Sequence, residues 1–356
     1  MLLKKEVRMK NRLAILAALL ICLGLGAAAE EMLTLTFVGD TSIGDAIQHR
    51  RSENSYHRVV AQKGMDWPFS LVAEQMRASD ITIANLEGSI TTRTRHKDTI
   101  RWPLVIDPSH TQILLSGGID VVNTANNHAM DFYKEGYTQT LEHLDRAGIA
   151  HFGTLSPPGS TKINRQVILE RKGAKIGFIG FTYPQESDLR HIEKATRELR
   201  DAGCDLVVLS LHWGRETYLT PNSAQYGFAR KVLQFDIDLI YGHHPHVVQP
   251  IALYQGKPVL FSTGNFTFGT MSKVDPSTGL FQVSYDLSGD RPRLAAIRVI
   301  PLETRGSGDY RPTPVTEEAA QQAIFRKLTL KRPPKGFENL PDSFLTTGEA
   351  IFAANE

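Results

Sequence analysis

Five apolar runs in this chain each stop at a short polar cluster, and that pattern constrains the fold more than any other feature. Residues 33–38 run into Gly39-Asp40, and 81–84 into Asn85-Leu86-Glu87-Gly88. Residues 119–123 run toward Asn126-Asn127-His128, and 206–211 into His212-Trp213-Gly214, with Glu216 following. Residues 237–241 run into Gly242-His243-His244-Pro245-His246. Short alternating or unbroken apolar runs predict strands, and the unbroken run 206–211 predicts a strand covered on both faces. Helical spacing lies between them, at 68–78, 109–116, 133–147, 189–202 and 223–235, with Gly148 and Gly203 as stops. Strands alternating with helices predict an α/β fold, in which ligands gather beyond the carboxyl ends of the strands.

The remainder reads less sharply. Residues 41–65 are polar and irregular. A hairpin is expected around Lys172-Gly173, further strands at 247–254, 258–261, 280–286 and 294–300, and a helix at 317–328. Residues 331–356 hold three prolines and little periodicity, which predicts a loosely packed tail. The organisation expected is a signal segment at 1–29, one domain at 30–305, and a C-terminal helix with its tail at 306–356.

Met9-Lys10-Asn11-Arg12 followed by the apolar run 13–29, ending in three alanines, has the form of a secretory signal peptide cut after Ala29. The rival is an uncleaved N-terminal membrane anchor. Either predicts an exported protein of the periplasm or cell envelope. Residues 1–29 carry five basic side chains and one acid, so cleavage turns 40 Lys+Arg against 38 Asp+Glu into 35 against 37. A net charge near −2 gives no basis for a nucleic-acid partner. Cys204 is then the one remaining cysteine, so no internal disulfide forms, and it reads as a buried structural thiol.

The chemistry lies in the strand ends. Asp40, Glu87, Asn127, His212, His244 and His246 combine hard oxygen donors with imidazoles and no thiolate, a set that suits Mn, Zn or Fe rather than Ca. Such a set suffices for two divalent ions that activate water and clamp a phosphoryl group. His128 and Asn127 are the candidates for catalysis. Asn85, Asn126, Glu216, His243 and Asn265 are candidates for contact with substrate. Side chains alternate along an extended strand end, so His243 is expected to point away from His244 and to matter less. The bland alternative for each piece is a polar turn or a satisfied core imidazole; the conjunction of five such ends argues against it.

The chain resembles the CapA family of capsule and poly-γ-glutamate biosynthesis proteins. The resemblance rests on Gly39-Asp40, Asn85-Leu86-Glu87-Gly88, Ala125-Asn126-Asn127-His128-Ala129-Met130-Asp131, His212-Trp213-Gly214 with Glu216, Gly242-His243-His244-Pro245-His246-Val247 and Gly264-Asn265-Phe266, over roughly residues 33–270. It implies a metallophosphatase-like, four-layer α/β/β/α sandwich. By likeness to the wider metallophosphoesterase superfamily, Asp40 stands as the first-strand Asp and Glu87 in the place of the bridging Asp. Asn127 and His128 stand as the Asn-His pair, and His212, His244 and His246 as the later ligands. The superfamily's first motif is Asp-x-His; here position 42 is Ser, which leaves one metal position a ligand short.

Two functions follow. One is a metal-dependent phosphoester hydrolase. The other is a non-hydrolytic component that binds or exports an anionic polymer through the same cleft. Both are compatible with a membrane-bound polymer synthase complex as partner. A purely structural metal site is the third reading.

Overall fold

A computed structural model of the chain describes residues 32–155, 163–268, 274–304, 306 and 308–353. The expected signal segment 1–29 lies outside these residues. Thirteen of the strands frame the site: β1 (Met32–Ser42), β2 (Ile81–Leu86), β3 (Val121–Asn123), β4 (Ala150–Leu155), β5 (Val167–Arg171), β6 (Ala174–Thr182), β7 (Leu206–His212), β8 (Leu239–His243), β9 (Val248–Tyr254), β10 (Lys257–Thr263), β11 (Asn265–Phe268), β12 (Ser277–Asp286) and β13 (Arg293–Thr304). They form two sheets. The first runs β13–β12–β1–β2–β3–β4, parallel from β1 to β4 and antiparallel at β12 and β13. The second runs β5–β6–β7–β8–β10–β9, parallel from β6 to β10. A single β-bridge, Thr154 to Phe181, joins β4 to β6, so the sheets meet along that edge.

Alternation along the strands sorts their side chains into layers. Phe37, Ile83, Val121, Val208 and Tyr241 point into one core together with Phe178 and Val283, so this core lies between the sheets. Their neighbours Val38, Ala84 and Val122 join a second core with Tyr56, Met76, Leu114 and Leu144. Those residues come from the helices α1 (Tyr56–Lys63), α2 (Ala73–Arg77), α3 (Thr111–Gly117) and α4 (Tyr133–Ala147). Val207, Leu209, Leu211 and Ile240 face a third core with Ile192, Leu199 and Val232 of α5 (Leu189–Asp201) and α6 (Ser223–Val232). The order is helix, sheet, sheet, helix: the α/β layered fold expected. The run 206–211 is buried throughout because cores press on both its faces.

Three expectations need correction. Residues 41–65 are not all irregular, since α1 starts at Ser55, whose side chain accepts from the Arg58 N–H. The helix expected at 68–78 is a short 3-10 turn, Trp67–Phe69, followed by α2. The tail is not loosely packed. Phe337 packs beneath α6, and Phe344 and Ala350 join α7 (Glu318–Lys327) in the inter-sheet core. Residues 349–351 add a strand to the edge of β13. Aromatic side chains spaced by prolines pack here without any period that a sequence reading can detect.

Candidate metal centre

The same alternation that builds the inter-sheet core places polar groups at its end. Asp40 pairs in register with Asn85, and Asn85 with Asn123; across the gap, His212 pairs with His243. Two residues earlier, the inward positions of β2, β3, β7 and β8 hold Ile83, Val121, Ser210 and Tyr241, so the apolar core passes directly into the polar cluster.

The first sheet supplies the oxygens. Asn85 Nδ2 donates to Asp40 Oδ1 (2.8 Å) and approaches Glu87 Oε2 (3.4 Å). Asn123 Nδ2 donates to Asn85 Oδ1 (2.9 Å), which fixes the Asn85 amide. Asn126 Nδ2 donates to the Leu86 carbonyl (2.7 Å), and its Oδ1 accepts from the His128 N–H (3.2 Å). The second sheet supplies imidazoles. Asn127 Oδ1, which can only accept, lies 2.7 Å from His212 Nε2, so that nitrogen carries the proton. His212 Nδ1 then accepts from His243 Nδ1 at 2.8 Å, and His243 Nε2 accepts from Ser210 Oγ at 2.6 Å. Past β8 the chain turns with positive φ at His244 (100°) and His246 (58°), a conformation costly for residues with a Cβ. This turn brings His244 N–H to Asp40 Oδ2 (3.1 Å) and His246 Nδ1 to within 3.2 Å of the same oxygen and 2.8 Å of Asn265 Oδ1.

Burial and neighbouring groups set the charge of each imidazole. Burial holds His212, His243 and His244 below the ordinary imidazole range, and the neighbouring histidines press His212 and His244 the same way, so all three are neutral near pH 7. His246 is the exception: burial opposes its charge, but Glu87 and Asp40 outweigh burial and raise it. Burial raises Glu87; Asp40, though equally buried, is held low by His246. His128 is raised despite burial because its Nδ1 lies 2.8 Å from Asp131 Oδ2.

The residues fit divalent ions. Among the described residues, three ligand groups occur: Asp40–His212–His243, Asp40–Glu87–His246 and Glu216–His244–His246, each with donor atoms within 4.8 Å of one another. Asp40 and His246 each serve two groups, which is the connectivity of adjacent ions. Glu87 Oε1 and His244 Nδ1 are buried with no hydrogen-bond partner, as is the hydroxyl of Ser42. A buried carboxylate oxygen and a buried imidazole nitrogen that make no hydrogen bond are costly unless something binds them. A cavity of about 660 Å³ opens beside the cluster, lined in part by Asn127, His128, Glu216 and His246.

The roles expected from sequence are redistributed. Glu216 reaches the cavity but belongs with His244 and His246 as a ligand candidate. Asn85, Asn126 and Asn265 do not line the cavity; they are buried behind the cluster and hold Asp40, His128 and His246 in place. His243 neither faces substrate nor stands apart from the ligands, because the strand's alternation ends at His243 and the positive-φ turn folds His244 back over the same end. Two roles escaped the sequence reading. Tyr183 follows β6, and its hydroxyl lies 3.1 Å from His244 Nε2; burial raises that phenol, so it stays protonated. Asp131 orients His128. The strand-end rule applied to β6 would have found Tyr183.

Residues 34–270 match the model of the family described as bacterial capsule synthesis protein PGA_cap. The chain belongs to this family. The matched span contains every strand end of the cluster, from Asp40 to Asn265, and stops before the segment that closes the sandwich. The PGA biosynthesis protein CapA of Bacillus subtilis is 29% identical over 323 residues, 85% of this chain and 77% of that protein. The capsule biosynthesis protein CapA of Bacillus anthracis is 25% identical over 320 residues, 84% and 73%. A probable polyglutamine synthesis accessory protein of Mycobacterium tuberculosis is 25% identical over 240 residues, 61% and 63%. As a PGA_cap member, the chain carries its candidate ligands inside the part that defines the family.

Proposed function

We propose that this chain acts in capsule or poly-γ-glutamate production as an exported, metal-dependent phosphoester hydrolase. The observation that carries the reading is the pair of ligand groups sharing His246, adjacent to a cavity that His128 and Asn127 also line. Two divalent ions held by Asp40, Glu87, Glu216, His244 and His246, with Mn, Zn or Fe favoured by the donors, would supply Lewis acidity and an acidified water. The chain's own groups supply the rest. Asp131 occupies His128 Nδ1, so Nε2 is the nitrogen left to give a proton to the departing oxygen. Asn127 is fixed by His212 at the cavity wall, where its amide can orient a phosphoryl group.

Metal analysis of the purified protein, paired with an aryl-phosphate assay, tests this. His244→Ala and His246→Ala are expected to lose metal, and Asn127→Ala to lose part of it. His128→Ala should keep metal and lose turnover by about 10²–10⁴-fold. Wild type that holds metal yet cleaves no phosphoester would favour the second reading, polymer binding without hydrolysis. Ser42, where the superfamily pattern has a histidine, speaks for that reading. Export rests on residues 9–29, and N-terminal sequencing of envelope fractions tests it: a start near Glu30 is expected, and an intact 13–29 in the membrane pellet means an anchor.

A further inference from the structure

One wall of the 660 Å³ cavity is a segment that the proposed hydrolysis does not use. Residues 93–102 read Arg-Thr-Arg-His-Lys-Asp-Thr-Ile-Arg-Trp, four cations with one acid. Some surface cations elsewhere pair with carboxylates, as Arg50 does with Asp107, Arg171 with Asp120, Arg293 with Asp286 and Lys327 with Asp275. Among the described residues, Arg93, Arg95, Lys97 and Arg101 have no carboxylate within ion-pair distance, and Arg93 Nε is buried without a partner. Two of them meet aromatic faces instead. The Arg95 guanidinium lies 5.5 Å from the Tyr133 ring and that of Arg101 5.2 Å from Trp102. Trp102, 42% exposed, stacks on His49 at 5.4 Å. A guanidinium against a ring keeps its N–H edge free for an oxyanion.

The segment is also held rigidly. The Lys97 N–H donates to the Asp131 carbonyl (2.9 Å) and the Leu104 N–H to Asp131 Oδ2 (2.8 Å). Between those anchors, Gln48 Nε2 donates to the Arg101 carbonyl and the Ile47 N–H to that of Pro103, both at 2.9 Å. The residue that orients His128 thus also anchors the stretch 97–104 at both ends. Arg101 and Trp102 line the cavity together with His128 and Asn127. An anchored loop whose cations have no carboxylate partner among the described residues is suited to a ligand that brings repeated oxyanions.

We infer that residues 93–102 form a polymer subsite: Arg101 takes a carboxylate of an anionic chain, Trp102 and His49 pack on the stretch between charges, and Arg95 and Lys97 receive further carboxylates. The inference rests on the proposed role in anionic-polymer production but not on the hydrolytic step. The test is binding of a fluorescent poly-γ-glutamate oligomer to the full chain, by anisotropy, at several salt concentrations. Wild type should bind, and added salt should weaken binding. Arg101→Glu should lower affinity about tenfold or more, and Arg101→Lys should fall between, since lysine lacks the planar fork. Arg293→Glu, remote and already paired, should bind like wild type. Unchanged metal content and melting temperature in Arg101→Glu would show that the fold is kept. Wild-type affinity in Arg101→Glu, no oligomer binding by wild type, or equal competition by dextran overturns the subsite. Displacement by polyphosphate at lower concentration than by poly-γ-glutamate overturns the carboxylate assignment. Oligomer binding through Arg101 without phosphoester cleavage sinks the hydrolase alone; cleavage with Arg101-independent binding sinks the subsite alone.

Discussion

At the scale of single residues, the cluster depends on backbone positions that side chains seldom occupy. Tyr183 (φ 41°) and His244 (φ 100°) face one another across 3.1 Å, each in the positive-φ region without being glycine. With His244 Nε2–H donating to the phenol oxygen, the lone pair falls on Nδ1, the atom that lacks a partner. Such outer hydrogen bonds typically hold a ligand's tautomer and direction. Tyr183→Phe is therefore expected to weaken metal retention roughly ten- to hundredfold in a chelator competition, with the melting temperature of the metal-free protein little changed. His243→Ala is expected to lower metal content less than His246→Ala, since His243 Nδ1 donates to His212 and its Nε2 accepts from Ser210; a loss as large as in His246→Ala would add His243 to the ligand set. Glycine is what lets the chain reach these places. A Cβ on Gly242 would stand 2.1 Å from the Phe261 carbonyl oxygen, and one on Gly39 would stand 2.2 Å from that of Gly264. The residue after each, His243 and Asp40, thereby sits against the neighbouring strand.

At the scale of elements, the turn before α3 holds a group whose protonation bears on stability. His110 ends the 3-10 turn Pro108–His110, and its buried Nδ1–H donates to the Ile43 carbonyl at 2.7 Å. Burial lowers its pKa below the ordinary 6.5, against a weaker pull from the Ile43 carbonyl and Asp107. The unfolded chain binds a proton near pH 6.5 while the folded chain resists it. This stabilisation is complete above pH 6.5 and is lost as pH falls from there toward the folded pKa. His110→Asn, which keeps a donor, should flatten the fall in melting temperature between pH 7.5 and 5; an unchanged slope would exclude His110 as its source. Elements were legible where one face met a core. Tyr133–Ala147 has its expected bounds, because its apolar side chains recur on one side and Gly148 stops it. The helix Tyr56–Lys63 was hidden because Val59, Val60 and Tyr56 are its only buried positions among polar neighbours. The ligand types were legible at strand ends, but not their grouping. Positive φ at His244 and His246 breaks the alternation from which their directions were read, and no local pattern announces it.

At the scale of the whole molecule, the cluster spans two sheets, and the inter-sheet core sets the distance between its halves. Phe344, buried in that core and 5.6 Å from Phe325, seals it from the C-terminal side. Phe344→Ala should cost about 3–5 kcal/mol through the lost contacts and the cavity left behind. Metal affinity should drop with it although the residue touches no ligand; a destabilised variant with intact metal affinity would show that the two halves are fixed without this seal. Asp40 and Glu87 lie early in the chain, while His212, His243, His244 and His246 follow residue 205. Two of the three ligand groups draw on both stretches, so an ion held there would act as a clasp that closes only after both stretches have docked. Clasp and folding are then one linked equilibrium: raising the free ion tenfold beyond its dissociation constant adds roughly 1.4 kcal/mol of resistance to unfolding. A compartment poor in the ion would leave the protein folded but less durable, and the local ion supply would set its lifetime against proteases.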